Sequence, residues 1–514
     1  MTALYNADYT REFFQRAPWL AGLSDSSPSP EAPAEMATRL IVGLAAMSVG
    51  YLLAIIVANG SSTGLVVGFA ALFRVTLALL PGLFSTDVFS YVMYGRIAAA
   101  HGENPYASPP SAFPTDPFLD WVFPFWRDQA SVYGPLWTDA SALWSHVSAT
   151  WTPFDQVLLY RASLVAFEAI ALAALWWVLG RLAPRERTRA WLIYAWNPVV
   201  LFDLVGASHN DAAMLALMLV GIGLMAPATV TATGPSLSDP AASLAREDAP
   251  VPTSVREPPA WRWVLGIGAL ALAALVKYAA AILVLVGVVA WSAHASTTRV
   301  RAQRLAIGFG VPLALAAVFW GPWLGASGAL QPLGETAGGR LMLNSAPDLV
   351  ALTLADQVLV PRGMPADPSH EIARAWMRWV TRVLVVGYLG WELGRLWRRT
   401  TSAADFGEVH AAALGVSARL LLVLPLAVLT WVWSWYFTWS LAIVVALGAR
   451  SMMTRLAVAY TLVALPVVYA HQYLNEQLPG IWVLVMALGP LVVLIPYGSQ
   501  RPTAQPQPVP AGER

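Results

Sequence analysis

Asp87 stands in a stretch, FSTDVFSYVMYGRIAAAHGENPY, in which a carboxylate and two phenols fall at helical spacing. Tyr91 lies one turn beyond Asp87 and Tyr94 shares that face, so a helix begun here presents acid and phenol together. A carboxylate at a membrane surface can act as a general base when it reaches an acceptor's proton and is held ionised, here with Arg96 as the available cation. The same Ser-Thr-Asp sequence before an apolar periodic run is also a good helix start, and the residues alone leave both roles open. His101, Asn104 and Tyr106 follow, then Asp116, Asp120, Asp128, Tyr133 and Asp139. These aspartates read as solvated loop or capping carboxylates, and Asp116 and Asp120 stand too far apart in a proline-broken stretch for a metal site. At Tyr133-Gly134-Pro135-Leu136-Trp137 the chain turns back to apolar sequence, with Pro135 suited to a helix's first turn and Gly134 to a close approach.

Further polar groups sit against apolar sequence. His209, Asn210 and Asp211 precede an apolar run, where Asn210 or Asp211 can cap a helix and His209 can be an interfacial residue. Lys277 interrupts the run 261–293, either as a snorkelling lysine or as a cation placed for a ligand. Arg74, Arg161 and Glu168 fall inside apolar runs, where ionisable groups are expensive, and Arg74 with Glu168 reads as a structural pair. The segment from Trp431 to Trp439, including Trp435 and Tyr436, offers either an interfacial aromatic belt or the wall of a groove for sugar faces or a lipid chain.

The elements that must position these groups are membrane helices. The 514 residues are 57% hydrophobic and 12% charged, with several apolar runs long enough to cross a bilayer. A net charge of +1 says nothing about partners, nucleic acid is not expected, and zero cysteines exclude disulfide and thiolate chemistry. The N-terminus lacks a basic cap followed by an apolar core, so the first apolar run is expected to be a retained span. The expected architecture is all-α and polytopic, with about thirteen spans near 38–58, 65–83, 155–180, 188–205, 211–227, 261–276, 278–293, 304–325, 376–396, 417–432, 436–449, 453–470 and 480–497. Arginines cluster at 181–189, 299–304 and 395–399, which assigns those links to the cytoplasm. Parity then puts the loop 84–153, the His209–Asp211 link, Lys277, the loop 328–375 and the 433–439 aromatics on the outer side. With Arg262 and the Arg299 group both inside, residues 261–293 must form a hairpin with Lys277 at its tip. Around this body of residues 38–499 lie an N-terminal tail (1–37), a low-complexity linker (226–260) read as disordered, and a proline-rich tail (500–514). The loop 328–375 is expected to carry a short helix over the outer face, capped near Asn344, Ser345 or Asp348.

Taken in order, DVFSYVMYGRIAAAHGENPY, SVYGPLW, WNPVVLFDLVGASHNDAAMLALMLVG, ALAALVKYAAAIL and WSWYFTWSLAI resemble the polyprenol-phosphate-mannose-dependent mannosyltransferases of bacterial cell envelopes, within the GT-C glycosyltransferases. The likeness runs from about Leu65 to Ala446. It implies a catalytic acid in the first large outer loop, which matches Asp87. It also implies a cation near the donor phosphate, for which Lys277, Arg96 and Arg340 are the matching positions. Tyr91, Tyr94, His101, Asn104, Tyr106, Tyr133, the His209–Asp211 motif, Trp435 and Tyr436 would line the substrate cavity. Two apolar runs precede the acidic loop here, where the simpler arrangement has one.

The expected function is transfer of a hexose, mannose by resemblance, from a polyprenyl-phosphate sugar donor to a lipid-linked glycan or glycolipid acceptor on the outer face of the cell membrane. It would proceed by inverting displacement, with no cofactor and no metal. Two alternatives stay open: a lipid or glycolipid transporter, which intramembrane charges and a broken hairpin also suit, and a related enzyme using another polyprenyl-phosphate sugar, since a few cavity hydrogen bonds set sugar identity.

Overall fold

The computed structural model describes residues 7–17, 32–58, 62–80, 85–231, 253–325, 345–427, 429, 432–474 and 481–494. Among the described residues the architecture is helical, with one two-stranded ribbon. In chain order the helices are α1 (Ala7–Arg16), α2 (Ala32–Val57), α3 (Thr63–Ala78), α4 (Asp87–Ala99), α5 (Pro135–Val147), α6 (Pro153–Leu182), α7 (Arg187–Ala195) and α8 (Asp211–Met225). They continue as α9 (Ala260–Val276), α10 (Ala281–Ala293), α11 (Thr298–Trp320), α12 (Ala346–Leu354), α13 (Ala366–Thr401), α14 (Phe406–Ala427), α15 (Phe437–Val444), α16 (Met452–Leu474) and α17 (Ile481–Leu488).

Among the described residues, three segments are long and apolar enough to cross a membrane, Pro153–Leu182, Thr298–Trp323 and Phe406–Ala427, and a bent pair around Ser208 makes a fourth. Among the described residues there are also seven shorter apolar helices of 10–17 residues. Outward faces stay apolar, with Val57, Leu313, Val386 and Trp376 largely exposed. Continuous exposed apolar faces of this kind suit lipid and not water.

One expected span is not a single helix. Residues 188–205 divide into α7 and a π-helical segment, Val200–Gly206, with Asn197 and Pro198 between them. Proline supplies no backbone N–H to continue the ladder, and Asn197 fills in by accepting from Val199 N at 3.0 Å and donating to Thr461 Oγ1 at 2.8 Å. The linker also departs from the expected disorder at its ends, where β1 (Ala228–Thr231) pairs antiparallel with β2 (Thr253–Arg256). Both strands are rich in β-branched residues, which favour a pleated ribbon.

The hairpin expected at 261–293 is present. Trp263 and Trp291 stack with ring centroids 5.8 Å apart and planes 8° from parallel. In one straight helix they would stand about 42 Å apart. The chain therefore reverses at Lys277, which leaves helical geometry with φ −148° and ψ 123°. The short outer-loop helix is also present as α12, and Ser345 caps it by accepting from Asp348 N at 3.1 Å.

Helix α6 relates the chain's early elements to the site. At its N-terminal end Tyr9 of α1 stacks on Phe154 at 5.0 Å and meets Phe89 of α4 edge-on at 5.7 Å. Arg161 donates to the Tyr9 hydroxyl at 2.6 Å and to the Leu80 carbonyl at 3.0 Å, so α1, α3 and α6 are tied together beside the acidic loop. Past the other end of α6, Thr63 and Thr188 share a hydroxyl hydrogen bond of 2.9 Å. The start of α3 and the tail helix α1 thus lie toward opposite ends of α6.

Midway, the pairing expected for Arg74 and Glu168 is found, two-pronged at 2.6 and 2.7 Å. The remaining guanidinium nitrogen donates to the Ala70 and Ala195 carbonyls at 2.9 and 3.0 Å, so α3, α6 and α7 share one buried charge pair. Removing one partner leaves the other charge buried and unpaired. Arg74→Leu or Glu168→Leu alone is expected to cost about 3–5 kcal/mol in thermal unfolding of purified protein, with the double variant recovering most of it.

Candidate active site

Asp87 is the first residue of α4 and its side chain keeps 21% of its surface open. Its backbone N–H donates to Ser85 Oγ at 3.2 Å, which fixes the helix start while the carboxylate points onward to two partners. Tyr91, one turn along, donates its hydroxyl to Oδ2 at 3.4 Å, and Nδ1 of fully buried His209 stands 3.4 Å from the same oxygen. Burial pushes the Asp87 carboxyl up, but the approach of His209 and the charges of His209 and Lys277 outweigh it and hold the group below the ordinary carboxylate range. Burial, then the Asp87 charge, pushes the Tyr91 phenol well above its ordinary value, so it stays a neutral donor.

The His209-Asn210-Asp211 link approaches α4 from the opposite side. The π-helical segment and α8 meet at a 113° bend, and at the bend Ser208 takes a left-handed φ of 58°, a conformation a side chain adopts only under constraint. The constraint is visible: Asn210 N donates to the Tyr91 hydroxyl at 3.2 Å, and His209 lies flat on Trp435 at 3.8 Å. Trp433 continues that stack at 5.0 Å. Asp211, with no exposed surface, accepts from Lys277 Nζ and from Trp439 Nε1, each at 2.6 Å. The Lys277 ammonium also sits 5.3 Å from the Tyr436 ring and 5.7 Å from that of Trp439, within cation–π range. Asp87, Tyr91, Tyr133, His209, Asn210, Asp211, Lys277, Trp435 and Tyr436 are therefore brought together, Tyr133 through an edge contact with Tyr91 at 4.8 Å. Tyr94 reaches the margin, its ring 6.1 Å from Tyr133 and its hydroxyl donating to the Gln129 carbonyl at 2.9 Å.

Four sequence candidates are placed elsewhere. Arg96 is nine residues from Asp87 on one helix, on the opposite face and about 13 Å along the axis. Its guanidinium clasps Asp116 at 3.0 Å, and His101 meets the same carboxylate at 2.7 Å. Asp116 is thus a buried anchor and not the solvated loop carboxylate expected. Burial raises its pKa, while hydrogen bonds from Arg96 and His101 overcome that and keep it low. Asn104 braces the loop, accepting from Tyr106 N and donating to the Trp323 carbonyl at 2.8 Å. Tyr106 donates to the Tyr133 carbonyl at 3.0 Å. Arg340 lies outside the described residues.

One group at the site, Asp203, was not singled out in the sequence. Asp203 accepts from Ser434 Oγ at 2.6 Å and its carbonyl faces His209 N at 3.4 Å, while Trp439 holds Asp211. An aspartate within the apolar run VLFDLVG was the available signal.

Glycine 134 joins the loop to the hairpin. Its N–H donates to the Val276 carbonyl at 3.1 Å, and an added Cβ would lie 2.0 Å from the Leu275 carbonyl oxygen. The Tyr278 hydroxyl donates back to the Tyr133 carbonyl at 3.1 Å.

Outward-facing apolar helices around a cluster of ionised and aromatic groups make this a helical protein of membrane type. The chain belongs to the family described as "Alpha-(1->6)-mannopyranosyltransferase, N-terminal domain", whose model matches residues 12–294, over half of its length. The resemblance drawn from the five motifs is borne out at the level of the family. The matched range includes Asp87, His209, Asp211 and Lys277, while the aromatic segment at 433–439 lies beyond it. The chain is 30% identical over 169 residues to Alpha-(1->6)-mannopyranosyltransferase A of Corynebacterium glutamicum, covering 32% of this chain and 33% of that protein. It is 32% identical over 151 residues to Alpha-(1->6)-mannopyranosyltransferase A of Mycobacterium tuberculosis, covering 29% and 28%. Similarity to a probable alpha-(1->6)-mannopyranosyltransferase of Mycolicibacterium smegmatis is 34% over 163 residues, covering 29% and 27%. The matches thus span about a third or less of these relatives' length.

Gly134→Ala drives a Cβ into the Leu275 carbonyl, so the loop or the hairpin backbone must shift. It is expected to destabilise the protein by about 1–3 kcal/mol in a denaturation series.

Proposed function

We propose that this protein transfers a mannosyl group from a polyprenyl phosphate to a hydroxyl of a lipid-linked glycan or glycolipid, on the outer face of the cell membrane. The carrying observation is the meeting of an ionised, partly open Asp87 with the Lys277 ammonium in one aromatic-walled cluster. Family membership supports the choice of mannose.

In the reaction proposed, the acceptor oxygen forms a bond to the anomeric carbon as Asp87 takes its proton. The bond from that carbon to the phosphate oxygen breaks, and its electron pair leaves with the lipid phosphate. An ammonium has three N–H donors, and Lys277 gives one to Asp211, so two others can meet phosphate oxygens and share the departing charge. That cation does the work a metal would otherwise do, and no metal enters the scheme. Displacement inverts the carbon, so a β-linked donor yields an α-linked product. The relatives' names carry an alpha-(1->6) linkage, which directs attention to a primary 6-hydroxyl as acceptor.

Sidedness is supported by the arginines. Helix α6 has 30 residues, about 45 Å of helix, with Phe154, joined through Tyr9 to Phe89 of α4, in its first turn and Arg181 in its last. A second reading, lipid transport, draws on the 113° bend beside charged groups, a feature of transporter sites. Flipping of a labelled lipid in vesicles, with no sugar transferred, would select it.

Asp87→Asn is expected to cut turnover of polyprenyl-phosphate-mannose by about 10²–10⁴-fold, and retained turnover rejects the base role. Because Asp87 is held below the ordinary carboxylate range, the acid limb of wild-type kcat/KM lies at low pH. His209→Gln removes the largest lowering influence, so that limb moves to higher pH.

The chain has no cysteine, which makes topology directly testable. Exposed Gln15→Cys is expected to react with an impermeant thiol reagent in intact cells, and Arg185→Cys only after the membrane is opened.

A further inference from the structure

Asn210 sits between the two halves of the site, next to His209 on the Asp87 side and Asp211 on the Lys277 side. It is fully buried, yet neither its amide oxygen nor its amide nitrogen has a hydrogen-bond partner among the described residues. The ordinary explanation fails. Asn210 occupies the N-cap position of α8 but makes no side-chain cap hydrogen bond, and its φ and ψ of −66° and −7° are those of helix. The extended backbone of a capping asparagine is absent. Its own N–H is spent on Tyr91 at 3.2 Å, which pins the residue in place without using the side chain.

A buried carboxamide with no partner is costly, and native proteins keep few such groups. Here the group lies beside a strained Ser208 and is adjoined by His209, whose Nε2 is likewise buried and unpartnered among the described residues. A carboxamide offers an acceptor and a donor side by side, the pattern that matches a sugar hydroxyl or a vicinal pair.

We propose that Asn210 is a specificity-determining residue whose carboxamide hydrogen-bonds a hydroxyl of the sugar reacting at Asp87. This rests on the glycosyl-transfer reading above. The hydroxyl belongs either to the transferred sugar or to the acceptor sugar. The two sources share one chemistry, and separate substrate series distinguish them. A site built around a hydroxyl rejects the analogue that lacks it, because its own polar atoms are then left unpaired.

The test compares kcat/KM of wild type and Asn210→Ala on polyprenyl-phosphate-mannose, on each mono-deoxymannosyl donor, and on parent and mono-deoxy acceptors. In wild type one analogue is expected to lose about 10- to 100-fold. In Asn210→Ala the parent substrate falls by a similar factor and the penalty for that one analogue disappears, the others being unchanged. A donor analogue assigns the contact to the transferred sugar, and an acceptor analogue to the other. Deoxy penalties of equal size in variant and wild type overturn the proposal and leave Asn210 to a buried water or to packing. Asn210→Leu, close in size and apolar, guards against a folding failure. Its unfolding temperature is expected to equal or exceed that of wild type, and a marked drop marks a structural role and overturns the proposal. No transfer by wild type from any mannosyl donor refutes the functional reading itself, a different result from transfer with unaltered selectivity.

Discussion

The carboxylate of Asp211 has no exposed surface, and an ion there must be paired or the structure must shift to let water in. Two contacts meet that demand, Lys277 from the tip of the α9–α10 hairpin and the Trp439 indole from α15. Asp211 itself begins α8. Three segments far apart in sequence are thereby held to one point, and their relative placement sets the geometry of the cluster. The Lys277 cation is kept over aromatic faces by the same pair, and Asp87 feels its charge across the gap.

The acidic loop is braced independently. Asp116 takes Arg96 and His101, Asn104 and Tyr106 hold the path toward Tyr133, and Gly134 packs backbone to backbone on the hairpin. These contacts hold α4 steady, and with it Asp87, without any of them touching the carboxylate. A residue such as Arg96 therefore matters to the site by holding the loop. The Asp87 carboxylate is left with Tyr91, which donates to it, and His209 as its neighbours.

Much of this was legible in the sequence. The hairpin at Lys277 followed from arginines that had to lie on one side, the Arg74–Glu168 pair from two opposite charges in apolar runs, and the close turn at Gly134 from its place before Pro135. The helix start at Asp87 followed from Ser-Thr-Asp before a periodic run. Arg96 was misassigned although helix arithmetic was available: nine residues at about 100° each end on the opposite face. Asp116 was misread for a deeper reason. Its partners lie 15 and 20 positions away across irregular chain, and no periodicity predicts which loop carboxylate will be enclosed. The break at Pro198 and the bend at Ser208 were hidden because apolar composition runs straight through them, and hydropathy does not register a change of direction.

The helices flanking Lys277 are short. Helix α10 has 13 residues, about 20 Å, against a hydrocarbon thickness of about 30 Å. In a bilayer this mismatch is relieved by thinning the leaflet or admitting headgroups and water toward the hairpin tip. In the proposed reaction this lets an amphiphile's anionic head meet the ammonium while its tail stays in oil, so that no hydrophobic chain has to be lifted out of the membrane.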